Sequence, residues 1–215
     1  MTNELRRQTE LPTSADVAFL GPDDPRYPAG LRAHLGEAAP DMVAALGDTA
    51  ILDRKTLALF SSVRCPGALI LRSYDLAVAL RDAGVTVIGG FHSPMEQECL
   101  RLLLRGRQPV VVCPARNIDG MRLPSEWRAP LADGRLLLLS PFAAKDRRIT
   151  AELAQRRNRF VAAIADAVFV AHAAPSSRTE AFIREILGWG KPVLTLASDY
   201  NSAIQKAGAR RQSCA

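Results

Sequence analysis

Cysteine is scarce: Cys65, Cys99, Cys113 and Cys214 form no Cys-x-x-Cys pair and stand at no zinc-like spacing from the three histidines. That excludes a disulfide scaffold and a zinc module and is expected of free thiols in a reducing cytoplasm. Lysine is equally rare, with four residues against 24 arginines, although the formal net charge is +6. Aromatic residues are only 6% of the 215 positions, too few to pave a surface with base-stacking rings. No apolar stretch approaches the roughly 18 residues of a membrane span, and the opening MTNELRRQTE has no signal-peptide core. A cytoplasmic chain without a membrane partner is expected. Neither Gly-x-Gly-x-x-Gly nor Gly-x-x-x-x-Gly-Lys-Ser/Thr occurs, so the usual signatures of dinucleotide enzymes and triphosphate hydrolases are missing. No cofactor and no metal are expected.

The hydrophobic share, 48%, suits one substantial core and one domain. The excess of arginine fits bidentate contact with a polyanion and equally fits a coding sequence rich in arginine codons. From Thr56 onward, short apolar runs alternate with stretches of helical periodicity. Strands are expected at Leu57–Ser62, Val85–Gly89, Pro109–Cys113, Arg135–Leu139, Ala167–Ala171 and Pro192–Leu196. Helices are expected at Ala68–Ala83, Met95–Arg105, Ser125–Leu131, Thr150–Ala165 and Arg178–Trp189, with a short one at Ala29–Leu35. The order predicts an α/β fold, Rossmann-like and doubly wound, whose mainly parallel sheet is flanked by helices. Thr49–Leu52 is expected to add a strand, residues 1–20 to form a flexible leading segment, 21–210 the domain and 211–215 a tail.

In such sheets ligands collect beyond the carboxyl ends of the strands, where helix N-termini present free N–H groups. Four turns there are small, polar or basic. They carry Ser61, Ser62 and Arg64; Gly89, Gly90, His92 and Ser93; Ser140; and Ser176, Ser177, Arg178 and Thr179. Glycine lets backbone approach an anion closely, and serine hydroxyls bond phosphate oxygens; the same residues also serve as ordinary loop and N-cap residues. His92 has no evident catalytic partner. The fifth element is the run Arg156, Arg157, Asn158 and Arg159 on an otherwise apolar helix, with Arg156 and Arg159 on one side.

At these residues the chain resembles the DprA/Smf family of DNA-processing proteins, over about Pro22 to Ala209. The likeness runs through Tyr27-Pro28, Ser61-Ser62 with Arg64, Ala83-Gly84-Val85, Gly89-Gly90, Gly134-Arg135-Leu136-Leu137 with Ser140-Pro141, Arg157-Asn158-Arg159, Ala165-Asp166-Ala167, Lys191-Pro192-Val193 and Ala207-Gly208-Ala209. Arg157-Asn158-Arg159 is its most specific part. The family's Gly-Ser-Arg turn reads Ser61-Ser62-Val63-Arg64 here, and its small Ser-Gly-Ser turn reads Ser176-Ser177-Arg178. The chain is identified as a divergent member with the Rossmann-like domain only. The resemblance implies non-enzymatic binding of single-stranded DNA through its phosphates in DNA uptake and recombination, a RecA-type recombinase as partner, and a homodimer.

The expected groove joins Arg64, His92, Arg156, Arg157, Arg159 and Arg178, with Phe91 and Phe142 as the loop-borne rings for stacking. The other reading is a nucleotide-ligand sensor or nucleoside-phosphate hydrolase of the same superfamily. A hydrolase needs a carboxylate near the ribose, and Glu96, Glu98 and Glu180 are the candidates.

Overall fold

A computed structural model describes residues 17–212. Residues 1–16 of the expected flexible leading segment and the last three residues of the tail, Cys214 among them, lie outside the described residues. Among the described residues nine strands, numbered in chain order, form one sheet in the order β1-β2-β6-β5-β4-β3-β7-β8-β9. Strands β3 (Thr56–Phe60), β4 (Thr86–Gly89), β5 (Val110–Val112), β6 (Leu136–Ser140), β7 (Ala167–Val170), β8 (Val193–Leu196) and β9 (Arg210–Gln212) run parallel. An antiparallel margin is added beside β6 by β2 (Val43–Leu46) and β1 (Ala18–Leu20). The order of connection reverses between β3 and β7, the hallmark of a doubly wound sheet.

Parallel strands buried on both faces read as unbroken apolar runs, and β6 is buried throughout its Leu136–Ser140 stretch. Alternate side chains feed two cores. Phe60, Ile88, Val111, Leu137 and Val168 point to one face, under α1 (Ala29–Leu35), α5 (Ala151–Ile164) and α6 (Arg178–Gly188). Leu59, Val87, Val112, Leu138 and Phe169 point to the other, under α2 (Gly67–Asp82), α3 (Pro94–Leu104) and α4 (Ser125–Ala132). The short α7 (Ser202–Lys206) contributes Ile204 to the first core.

The six strands and six helices expected from periodicity are present, with ends that coincide or shift by one or two residues. Thr49–Leu52 is a correction: Thr49–Asp53 is a 3₁₀ turn. Gly47 at φ 115° ends β2, and the Asp48 carboxylate accepts the Ala50 N–H at 2.9 Å, so the backbone closes into a turn although threonine and isoleucine favour strands. The folded unit also runs past both expected boundaries, because β1 starts at Ala18 and β9 reaches Gln212.

Candidate functional site

The turn after β4 leads into α3 through reciprocal capping. Ser93 Oγ accepts the Glu96 N–H at 3.2 Å, and the Glu96 carboxylate accepts the Ser93 N–H at 3.0 Å. The same carboxylate accepts the His92 N–H at 2.9 Å, and its other oxygen accepts the Ser61 N–H at 2.9 Å from the turn after β3. A buried internal carboxylate thus uses the amides that were expected to cradle phosphate. Phe91 sits in the left-handed region at φ 45°, and its ring folds back over Gly89.

Above this turn lies Arg157. Helix α5 is capped by Thr150, whose hydroxyl accepts the Leu153 N–H, and its buried side includes Leu153, Arg157, Phe160 and Val161. That spacing is the i, i+4, i+7, i+8 stripe of a core-facing helix, so Arg157 occupies a core position. It is only 4% exposed. Its Nε donates to Asn158 Oδ1 at 2.8 Å and its Nη1 to the Cys113 carbonyl at 3.1 Å. A side chain on Gly90 would fall inside the guanidinium, so glycine is required there by close approach.

Arg157 forms no ion pair among the described residues. Burial pushes its pKa down, and the nearby Glu96 and Cys113 only partly oppose that. A buried charge left without a counter-ion costs several kcal/mol. The guanidinium opens on a pocket of about 380 Å³ between α3, α4 and the loop after β5, which His92, Arg116, Arg122 and Trp127 also line.

The remaining expected residues divide among other tasks. Ser62 Oγ accepts the Ala174 N–H at 3.1 Å, joining the turns after β3 and β7, and Ser140 Oγ donates to the Arg116 carbonyl at 2.8 Å. Arg64 is exposed on the turn after β3. Arg156 lies over the Phe142 ring, 5.5 Å from its centre, while Arg159 forms a two-pronged ion pair with Glu185 at 2.7 and 2.9 Å. Asn158, Arg159, Arg178 and Thr179 line a second pocket of about 230 Å³. Ser177 caps α6 by accepting the Glu180 N–H at 3.1 Å, and Glu180 accepts the Ser176 N–H at 2.7 Å.

Of the six residues expected to line one groove, therefore, His92 and Arg157 share the pocket beside α3 and α4, Arg159 and Arg178 share the second, and Arg156 and Arg159 line a third of about 460 Å³. Phe91 and Phe142 are buried, at 5% and 4% exposure, and offer no open ring face. Trp127, on α4, lines the same pocket as Phe91 and is less buried. It was not singled out in the sequence, because one tryptophan in a helix of weak amphipathicity reads as core. The burial of Arg157 was readable, from its place on the apolar stripe of α5.

The three candidate carboxylates are engaged: Glu96 with turn amides, Glu98 with Arg101 at 2.8 Å, and Glu180 with Arg184 at 2.8 Å. Among the described residues no group of histidine, cysteine or acidic side chains is arranged to hold a metal, and no helix is long and apolar enough to cross a membrane.

Comparison with known proteins follows the same lines. A search of curated proteins returns no match. DNA processing protein A from Streptococcus pneumoniae superposes with a TM-score of 0.75 at 16% identity, over 97% of this chain and 74% of that one. DNA processing protein A from Helicobacter pylori, described for its single-stranded DNA binding mode, superposes at 0.73 and 19% identity, over 91% and 90%. A molybdenum cofactor binding protein from Rippkaea orientalis shares the fold more loosely, at 0.51 and 12% identity over 74% and 90%. The family profile described as DNA recombination-mediator protein A matches residues 18–212. A match of that extent, on this sheet order, means that the chain belongs to the DNA recombination-mediator protein A family.

Proposed function

We propose that this protein binds single-stranded DNA without acting on it chemically, and that a backbone phosphate of the strand supplies the counter-ion that Arg157 lacks. The observation that carries the reading is the buried guanidinium, which forms no direct ion pair among the described residues although Glu96 is near, and whose residue lines a pocket at the carboxyl edge of the sheet. A guanidinium has five N–H donors, and the protein accepts from Nε and Nη1 alone, so donors remain for a phosphate. His92, Arg116 and Arg122 add positive or donor groups at the same mouth. The described binding of single-stranded DNA by the Helicobacter pylori relative supports the same ligand.

The engagement of Glu96, Glu98 and Glu180 in capping and ion pairs favours binding over hydrolysis of a nucleoside phosphate. Family membership supports a role in recombination or DNA uptake, with transfer of the strand to a RecA-type recombinase and work as a homodimer in the cytoplasm as its further parts. The test is fluorescence anisotropy with a labelled 20-nucleotide oligonucleotide across a salt series. Affinity is expected to fall steeply as salt rises, by roughly a factor of ten for each doubling or two of salt when several phosphates are bound. Arg157→Met should lower affinity at every salt concentration. No binding at low salt, or a flat salt response, overturns the reading.

A further inference from the structure

The two hydrogen bonds that orient Arg157 end on uncharged oxygens. Its Nε donates to Asn158 Oδ1 at 2.8 Å, from the next residue of α5, and its Nη1 to the Cys113 carbonyl at 3.1 Å, just past β5. Bonds at two corners of a planar guanidinium fix its plane, and the group fills the space that a Cβ on Gly90 would need. Arg159, two residues on, is oriented as firmly, but by the Glu185 carboxylate, which also neutralises it. At Arg157 the direction is fixed and the charge is left unmatched. Because Nε only donates, the Asn158 amide must turn its oxygen toward it. An aspartate at position 158 would fit the same space and accept the same bond, so shape alone does not call for asparagine.

We propose that Asn158 is a positioning residue whose neutral amide aims the Arg157 guanidinium without supplying its counter-ion, and that this neutrality is what lets the arginine take an anion from outside. The inference rests on the phosphate reading above and adds to it the residue that sets the arginine's direction and keeps its charge available. A carboxylate at the same distance would be a charge-assisted partner for Arg157 and would meet an incoming phosphate as a like charge. The charged groups around position 158 are Arg157 and Arg159 on α5 and Arg178 and Glu185 on α6, with Glu96 near Arg157.

The decisive variant is Asn158→Asp, almost identical in shape. At pH 7.5 it should melt about 2–4 °C above the unmodified protein, the shift that one gained ion pair gives in a domain of this size. It should also bind the labelled 20-nucleotide strand at least tenfold more weakly, with a salt slope shallower by about one phosphate contact. A paired carboxyl has a depressed pKa, so the gain in melting is complete above the ordinary aspartate range and is lost as pH falls through the depressed value. A bound phosphate displaces that pairing, so binding to the variant takes up a proton and its deficit in affinity should shrink between pH 7.5 and pH 5. Groups common to both proteins, His92 among them, cancel in the ratio of the two affinities. Asn158→Ala removes the aim and adds no charge; it should weaken binding about threefold, the scale of one neutral hydrogen bond, with the salt slope and pH profile unchanged.

An Asn158→Asp protein that binds as tightly as the unmodified one at pH 7.5, or whose deficit is the same at pH 5, overturns the proposal. If the unmodified protein binds no strand at low salt, the phosphate reading fails on its own, and melting decides the rest. A gain for Asn158→Asp that disappears in acid keeps Asn158 as the neutral tether of an unmatched arginine; no gain overturns it.

Discussion

The turns after β4 and β7 are built to one plan and reach opposite ends. Each contains a non-glycine residue in the left-handed region, Phe91 at φ 45° and Ser176 at φ 58°. Each has a serine cap, Ser93 or Ser177, and a glutamate three residues into the helix, Glu96 or Glu180, that reaches back to the turn amides. Glu96 is buried, spans two strands' turns by also accepting from Ser61, and lies under Arg157. Glu180 stays at the surface and shares its charge with Arg184. The shared plan shapes a turn; what covers it decides whether the turn becomes part of a binding site.

Substitutions at five positions would break or sharpen that contrast. The largest effect is expected from Gly90→Ala, which strands the Arg157 guanidinium and should cost about 3–5 kcal/mol in urea denaturation. Adding Arg157→Ala should recover much of that loss, because the clash then has no second party. Glu96→Gln follows, at about 2 kcal/mol, since three backbone donors lose a charged acceptor. Equal losses in Glu96→Gln and Glu180→Gln would erase the contrast. Arg157→Met should leave stability level or slightly higher, as an apolar side chain replaces an unpaired buried charge, yet reduce oligonucleotide affinity at least tenfold in anisotropy. Last comes Ser176→Gly, expected to gain up to about 1 kcal/mol by relieving a left-handed serine.

A pH series probes the turn after β7 directly. The ion pair with Arg184, helped by the Ser176 N–H, holds the Glu180 pKa below its ordinary value. Its contribution is therefore complete above the ordinary glutamate range and is lost as pH falls through the depressed value. Glu180→Gln should flatten that part of the acid stability curve, measured by thermal melting at successive pH values.

The parallel strands and their helices were legible because burial on both faces writes long apolar runs with clear breaks. β2 was not: Val43-Ala44-Ala45-Leu46 is rich in alanine, which carries little strand preference, and the β-branched residues that follow Gly47 belong to a turn. Nor was β9, an edge strand of Arg210-Arg211-Gln212 that pairs on one side alone and needs no apolar pattern. At the site, the right turns were visible, but not what fills them. Glu96 and Glu180 look alike in sequence, and only the path of α5 puts an arginine over one of them. Within the arginine run, Arg157 lines one pocket while Arg156 and Arg159 line others, because consecutive residues on a helix point 100° apart.

The close approach of Gly90 to Arg157 also constrains descent. Position 90 cannot change freely while the arginine stands: a lineage that gains a side chain there must first, or at once, give up the arginine 67 residues further along the chain. Loss of the arginine removes that bar, after which the glycine is free to drift. Among relatives of this protein the pair should therefore be inherited together or lost in that order, a record that can be read from genomes without purifying a single variant.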